Sequence, residues 1–141
     1  RGDYMFKWKD EYSVNVKSID DQHKELFRLG SNLYTVVSAK DNLDRYDEIM
    51  EVLVSLKDYA NYHFQYEEKL MKEYGYDGYL KQKIEHASFI KKIESISNEE
   101  VDEKQRKVGM ELIVFIANWI ENHILKSDME YSEYFNNSGL Y

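Results

Sequence analysis

Residues 63–71, HFQYEEKLM, carry the pattern that decides the fold of this chain. His63 and Glu67 are four residues apart, which on an α-helix places both side chains on one face. The same face carries Ala60 and Leu70, so it is otherwise the apolar face of a bundle-forming helix. A buried imidazole and a buried carboxylate are costly without partners, so the partners must come from other parts of the chain.

The composition favours one all-helical domain. The chain has 141 residues, which suits a single core, and we expect one domain over residues 1–141. It contains no proline, which permits long uninterrupted helices. It contains no cysteine, which excludes thiolate metal sites, disulfides and covalently attached haem. The natural chain is expected to begin at Met5, with residues 1–4 added ahead of it.

The charge and hydropathy of the chain also bear on its partners and location. The net charge of −8 argues against nucleic acid as a partner, because binding to phosphates requires a basic surface. The sequence shows no apolar run long enough to cross a bilayer and no signal-peptide-like segment, so we expect no membrane association. A chain without cysteine is compatible with a reducing compartment, and we expect a cytoplasmic protein.

Apolar residues recur every three or four positions along four stretches, which predicts four amphipathic helices. The predicted helices cover residues 19–37, 43–74, 79–97 and 103–127. Asp41 or Asn42 is expected to cap the second helix, and Gly75 to end it. Short connections make neighbouring helices antiparallel, so the sequence predicts an up-down-up-down four-helix bundle. Residues 6–18 lack a helical period and are predicted to form an extended N-terminal arm.

Every histidine of the chain falls on an inward-facing stripe of its predicted helix. The four are, in chain order, His23, His63, His86 and His123. Glu67 and Gln82 lie on the same stripes. In an antiparallel bundle the helix ends near these residues are the same end, and all six side chains lie within roughly 6–16 Å of it. The sequence therefore predicts a polar layer at one level of the core.

Asp128 belongs with this layer only if the fourth helix is irregular. It follows His123 by five residues, which corresponds to about 140° of rotation on a regular α-helix. We therefore expect the fourth helix to end, or to contain a wide turn, between these two residues.

Two interpretations of the polar layer compete. A single histidine on an apolar face is more often hydrogen-bonded packing than a metal ligand, and the H-x-x-x-E pattern is weak by itself. Four imidazoles and a carboxylate at one level, however, are expensive to bury without partners. A metal centre satisfies all of them at once, and we favour that interpretation.

The set of donors indicates two metal ions. Four imidazoles and two carboxylates, Glu67 and Asp128, are too many for one tetrahedral zinc and too rich in nitrogen for calcium or magnesium. Two octahedral ions that share bridging carboxylates fit best, and imidazole with carboxylate suits iron. A ferritin-like centre would need Glu-x-x-His. The residues three positions before the histidines, which exclude that alternative, are Asp20, Ala60, Lys83 and Ile120.

Longer stretches resemble the hemerythrins, and among them the bacterial ones. The matching segments are FKWKDEYSVNVKSIDDQHKELF at residues 6–27, HFQYEEKLM at 63–71, HASF at 86–89 and WIENHILKSDMEYSEYF at 119–135. Together they extend over nearly the whole chain, in the order and spacing of the family. The resemblance implies a four-helix bundle with a di-iron centre that binds O2 at one iron.

The resemblance also distributes the expected ligands over two irons. The expected ligands of the iron that takes O2 are His23 and His63, and the expected ligands of the second iron are His86 and His123. The carboxylates expected to bridge both irons are Glu67 and Asp128. An oxo or hydroxo group from solvent is expected as a further bridge. Three other side chains resemble positions that line the O2 pocket, although plain core packing accounts for them equally well; they are Phe64, Trp119 and Ile120.

One position departs from the family pattern. The third helix is expected to carry H-x-x-x-H, whereas this chain has QKIEH at residues 82–86. Gln82 therefore stands at the position of a missing histidine ligand. An amide oxygen donates more weakly than an imidazole, and a water molecule can take its place. The departure leaves the expected fold unchanged, but it weighs against simple reversible O2 carriage.

Three functions are compatible with such a centre. The first is O2 binding, for carriage, storage or delivery. The second is an enzyme that reacts with peroxide or nitric oxide through a coordination position opened by Gln82, although no dedicated acid or base stands out near it. The third is a sensor of O2 or redox state, which ranks last because the sequence predicts a single domain.

Overall fold

The structure, a computed structural model, describes residues 5–39, 43–96 and 105–141. Its helices are α1 Lys17–Val37, α2 Tyr46–Glu73, α3 Tyr79–Glu94, α4 Gln105–Asn122 and α5 Met129–Asn137. A π-helical segment, His123–Asp128, connects α4 to α5, so that these three form one continuous rod. α1 packs against α2 and α4, and α2 packs against α3. The predicted all-α four-helix bundle is confirmed.

The helix ends differ from the predicted ones by a few residues. α2 begins at Tyr46 rather than at residue 43, with Arg45 at the N-cap position. The backbone N–H of Tyr46 donates to Asp44 Oδ1 at 2.9 Å. The predicted capping by Asp41 or Asn42 is therefore wrong in position, and these two residues lie outside the described part of the chain.

Two other helix ends also differ from the predicted ones by a few residues. α1 begins two residues earlier than predicted, and α3 ends at Glu94, three residues before the predicted end at residue 97. Residues 97 and 103, the predicted end of the third helix and start of the fourth, lie outside the described residues. The start of α2 and the end of α3 lie at the opposite end of the bundle from the polar layer, and the two additional residues of α1 leave its inward stripe unchanged.

The turn between α2 and α3 shows why Gly75 ends the helix. Gly75 has φ of +67°, a left-handed conformation that glycine adopts without steric cost. Its N–H donates to Lys72 O at 3.2 Å, and the N–H of Tyr76 donates to Met71 O at 2.8 Å. This pair of bonds is the Schellman motif, which satisfies the last carbonyl groups of the helix.

The N-terminal arm is irregular apart from one 3-10 turn at Asp10–Tyr12, which the sequence did not predict. The ring of Trp8 packs against Phe27 of α1, with 5.7 Å between ring centroids. Further along, the backbone N–H of Val14 donates to Asp20 Oδ1 at 2.8 Å. The arm is thereby fixed against the first turns of α1.

The polar layer divides the apolar core into two clusters of unequal size. The smaller cluster includes Ile19 and Met71, together with Val14, Val16, Tyr131 and Phe135. The larger cluster fills the rest of the bundle and begins at Leu26 on α1. Along α1, His23 lies between Ile19 and Leu26, and along α2 Glu67 lies one turn before Met71. The layer therefore has apolar packing both above and below it.

One helical run is long and apolar enough to cross a membrane, contrary to the expectation from the sequence. Lys107–Asn137 comprises 31 residues, and its most apolar window has a mean hydropathy of 1.2. Within the bundle, this run buries Ile113 and Ile116 completely and carries His123 and Asp128 in the polar layer. We interpret it as the core helix of the bundle, since its apolar face is used for packing.

The fold predicts a sharp contrast between two leucines. Leu33 is completely buried in the larger cluster, whereas Leu80 on α3 is 66% exposed. We expect Leu33→Ala to reduce the free energy of unfolding by about 2–5 kcal/mol because it leaves a cavity. Leu80→Ala, the matched control, should change it by less than about 0.5 kcal/mol. Urea unfolding followed by circular dichroism, with both variants in the same metal state, measures the difference; equal losses would contradict the assignment of the core.

Candidate metal centre

The structure brings all seven predicted metal-site residues into one buried layer. None of their side chains is more than 7% exposed. The seven are His23 of α1, His63 and Glu67 of α2, Gln82 and His86 of α3, and His123 and Asp128 of the π-helical segment. All four rods of the bundle therefore contribute to the layer.

The π-helical segment brings His123 and Asp128 to the same point. A π-helical turn spaces its hydrogen bonds five residues apart and is wider than an α-helical turn. Residues five apart therefore point in similar directions, and His123 Nε2 lies 3.1 Å from Asp128 Oδ1. The wide turn that the sequence predicted at this place is confirmed.

The donor atoms of the layer form two overlapping sets. The members of each set lie within 4.8 Å of one another. The first set is His23, His63 and Glu67, and the second is Glu67, His86, His123 and Asp128. Glu67 belongs to both sets, and the division of the histidines is the one that the resemblance implies.

The carboxylate of Glu67 faces imidazoles from three helices. Its Oε1 lies 3.0 Å from His63 Nε2 and 3.4 Å from His86 Nε2. Its Oε2 lies 3.7 Å from His23 Nε2 and accepts a hydrogen bond from the buried hydroxyl of Tyr131. A carboxylate that reaches histidines of both sets has the position of a bridging ligand.

Asp128 has a similar position on the other side of the layer. Its Oδ2 lies 3.2 Å from His23 Nε2, and its Oδ1 lies 3.1 Å from His123 Nε2. Gln82 Nε2 donates to the same Oδ1 at 3.1 Å. Asp128 therefore also contacts a histidine of each set, and Gln82 is held beside it.

Several donor atoms in this layer have no hydrogen-bond partner. Among the described residues, the buried side-chain atoms without one are His23 Nδ1 and Nε2, Glu67 Oε1, Gln82 Oε1 and Asp128 Oδ2. In addition, His86 Nε2 and His123 Nε2 face each other at 3.1 Å. Unpaired buried polar atoms are rare and costly, and three of the four residues that carry them, His23, Glu67 and Asp128, belong to the two donor sets. The residues present therefore fit a pair of metal ions.

Three of the four histidines are oriented by an acceptor on their outer nitrogen. The Nδ1 atom of His63 lies 2.7 Å from Gln22 Oε1, and that of His86 lies 2.8 Å from Glu68 Oε2. The Nδ1 atom of His123 lies 2.9 Å from Glu85 Oε1. Each acceptor holds a proton on Nδ1 and leaves Nε2 facing the layer. Glu85 is fixed in turn by Ser127, whose hydroxyl donates to Oε1 at 2.6 Å.

These three acceptors were not predicted from the sequence. Gln22 precedes His23, Glu68 follows Glu67 and Glu85 precedes His86, so each is the immediate neighbour of a predicted ligand. That adjacency was the available signal. The two glutamates are partly exposed and resemble an ordinary solvated helix face.

Two of the three predicted pocket residues lie against the second set of histidines. Phe64 stacks on His86 with 4.0 Å between ring centroids and 6° between the ring planes. Trp119 stacks on His123 at 4.4 Å and 13°. Ile120 is buried in the larger apolar cluster. Whether these residues line an O2 pocket stays a prediction, but the two rings clearly position the imidazoles of the second set.

The electrostatics of the layer favour cations between its carboxylates. Burial disfavours ionised Glu67, yet the neighbouring imidazoles hold its pKa well below the usual range. Burial likewise disfavours charged His23 and His86, but hydrogen bonds to the carboxylates outweigh it and raise the pKa of both to about 9. Burial dominates at His63 and lowers its pKa. The two ionised carboxylates thus attract positive charge into the core, and metal ions can supply it.

Comparisons with known proteins agree with this geometry. Residues 14–135 match the model of the hemerythrin HHE cation binding domain. Bacteriohemerythrin of Clostridium acetobutylicum is 41% identical over 127 residues, which cover 90% of this chain and 98% of that protein. Bacteriohemerythrin of Pseudomonas aeruginosa is 30% identical over 124 residues, which cover 88% of this chain and 77% of that protein.

A solved structure agrees as well. The crystal structure of a wild-type hemerythrin superposes with a TM-score of 0.73 at 27% identity, covering 90% of this chain and 95% of that one. The match therefore includes the four-helix architecture and not only short motifs. Taken with the buried layer of histidines and carboxylates, these likenesses show that the chain belongs to the hemerythrin family.

Proposed function

We propose that this chain binds O2 at a pair of iron ions, for carriage, storage or delivery of O2 in the cytoplasm. The observation that carries the proposal is that Glu67 belongs to two sets of buried donor atoms. A carboxylate shared in this way holds two metal ions close together, and a single ion would leave one set unsatisfied. When bound, two ferrous ions supply the electrons that O2 takes up.

The protein's own residues bind and orient the irons. His23 and His63 would hold one iron, His86 and His123 would hold the other, and the carboxylates of Glu67 and Asp128 would be shared between them. The outer hydrogen bonds of His63, His86 and His123 fix the three rings, so their Nε2 atoms need little reorganisation when the metal enters.

The chain also keeps water away from this centre. Leu26 lies one turn from His23, Phe64 is adjacent to His63, and Ile120 lies one turn before His123. All three are less than 5% exposed and belong to the larger apolar cluster. An apolar wall of this kind favours O2, which is uncharged, over water and ions, and it protects the bound state from proton-dependent loss.

Glu67→Gln tests the shared carboxylate. The amide keeps the size of the side chain but removes the negative charge that two metal ions require. We expect about two irons per wild-type chain. The variant should lose most of its iron and, with it, the visible absorption band that appears when O2 is added. Glu51→Gln on the exposed face of α2 is the matched control and should keep both. A Glu67→Gln variant with full iron and an unchanged spectrum would show that Glu67 is not a bridge.

The metal-free bundle should lose stability as the pH rises. Burial lowers the pKa of His23 and His86, but their hydrogen bonds to carboxylates raise it more. The net result is a pKa of about 9 for both in the folded state. Because an unfolded histidine titrates near pH ~6.5, this interaction is fully present below that pH and is lost as the pH rises through about 9. We expect a lower urea midpoint at the high end of this window for chelator-treated protein.

The iron-loaded protein serves as the control for this pH series, because metal ions then replace the protons on the imidazoles. Its urea midpoint should change much less over the same window. A metal-free midpoint that is constant or rises with pH would contradict the assigned pairing of the histidines with Glu67 and Asp128.

A second function, reaction with peroxide or nitric oxide, is favoured by Gln82. Its Nε2 donates to Asp128, while its buried Oε1 has no partner and is free to face the second iron or a water bound there. An amide oxygen is a weaker donor than the imidazole of the family pattern. A second iron would therefore be held less tightly and would offer a position that a small reactive molecule could take.

Gln82→His discriminates between the two functions. Restoring an imidazole should strengthen iron binding and lengthen the lifetime of the O2-dependent band, by about 10–100-fold if Gln82 behaves like other altered positions of metal sites. The rate of peroxide consumption should fall in parallel. Stopped-flow spectra of the two iron-loaded proteins give both rates, and equal lifetimes with equal rates would show that Gln82 is a bystander.

A further inference from the structure

A chain of tyrosines leads from the candidate metal centre to the surface. Tyr131 is completely buried, and its hydroxyl donates to Glu67 Oε2. The ring of Tyr76 lies 6.2 Å from that of Tyr131, centroid to centroid, and the ring of Tyr134 lies 5.4 Å from that of Tyr76. Tyr134 is 36% exposed. Three oxidisable phenols in contact thus span the distance between a candidate bridging carboxylate and solvent.

We propose that Tyr131, Tyr76 and Tyr134 form an electron relay between the surface and the iron pair. The relay supplies the electrons that reduce hydrogen peroxide at the iron pair. The proposal rests on the proposed iron site, and it adds an activity to O2 binding. The external partner is a small phenol-type reductant that meets Tyr134 at the surface.

The overall reaction balances without a further reactant. One hydrogen peroxide takes up two electrons and two protons, its O–O bond breaks, and two water molecules leave. Each electron originates at Tyr134, which also loses its phenolic proton to solvent. Tyr76 and Tyr131 pass the electron inward and are returned to their starting state. The phenol-type reductant then restores Tyr134 by giving it one electron and one proton.

The geometry around Tyr76 indicates a fixed position for the middle member. An ideal Cβ built on Gly78 would lie 2.4–2.9 Å from three atoms of the Tyr76 side chain, so that ring lies directly on the backbone of Gly78. A residue with a side chain at position 78 would displace the ring. The contact therefore holds Tyr76 between the other two tyrosines.

The other residues near the centre offer two comparisons. Tyr59, Tyr62 and Tyr66 on α2 form a second tyrosine row, with 5.6 and 6.5 Å between successive ring centroids. The hydroxyl of Tyr66 donates to Ser18 Oγ at 2.7 Å, and Ser18 is not among the candidate ligands. Trp119, stacked on His123 and half-buried, is the competing exit for an electron. These two features supply the matched control and the rival outcome.

The test compares Tyr76→Phe with Tyr62→Phe. Both variants and the wild type, all loaded with iron, are mixed with hydrogen peroxide without added reductant. The samples are frozen while the reaction is in progress and studied by electron paramagnetic resonance. Wild type and Tyr62→Phe should show a tyrosyl radical, and Tyr76→Phe should lose the part of it that originates at Tyr134. Tyr134→Phe identifies that part. Gly78→Ala, which retains every phenol, should weaken it by moving the Tyr76 ring.

A second readout follows the fate of the surface radical. Two Tyr134 radicals from different molecules can join through ring carbons next to the oxygen, and dityrosine results after the two ring hydrogens move to oxygen. We expect fluorescent dityrosine in the wild type and in Tyr62→Phe, and its loss in Tyr76→Phe.

The outcomes separate this proposal from the proposed function. An undiminished Tyr134 signal in Tyr76→Phe, an indole radical in place of the tyrosyl radical, or no radical at all in iron-loaded wild type that still binds O2 would each overturn the relay alone. Absence of iron in the wild type would overturn the relay and O2 binding together.

Discussion

The buried carboxylate of Glu67 is the constraint on which the rest of the structure depends. A negative charge with no exposed surface can persist in a bundle core only if several positive or hydrogen-bonding groups surround it. α1, α2 and α3 each supply a histidine to that carboxylate, and α5 supplies the hydroxyl of Tyr131. The register of the helices relative to one another is thereby fixed at a single level.

The apolar core is organised around this polar layer. The smaller cluster joins the arm, the start of α1, the end of α2 and α5, whereas the larger one contains the remaining length of the bundle. Neither cluster continues through the layer, so the two halves of the core are coupled through the histidines and carboxylates. Groups that would normally weaken a hydrophobic core here connect its two parts, provided that metal ions or protons balance their charge.

Much of this architecture could be predicted from the sequence because helical periodicity is a property of residue spacing. The inward stripes placed His23, His63, His86 and His123 at one level, and the five-residue interval before Asp128 required a wide turn. Spacing does not determine side-chain rotamers, however. The pairing of Glu68 with His86 and the stacking of Trp119 on His123 depend on rotamers, and so the sequence could not supply them. Nor could it locate the start of α2, where the loop residue that accepts the first backbone N–H is Asp44 rather than Asp41 or Asn42.

The π-helical segment sets the orientation of the end of this rod. A π-turn contains one residue more than the α-turn it replaces, so every residue after it is rotated by about 100° relative to an uninterrupted helix. α5 presents Tyr131 and Phe135 to the smaller cluster only because of that rotation. If the same residues formed a regular α-helix, Asp128 and both aromatic side chains would turn away from the core together, whereas deleting one residue between His123 and Asp128 would leave the carboxylate four residues after His123, the spacing that places His63 and Glu67 on one face of α2. The wide turn therefore absorbs one extra residue within the rod, and an insertion elsewhere along α4 without such a turn would rotate every later side chain by about 100°.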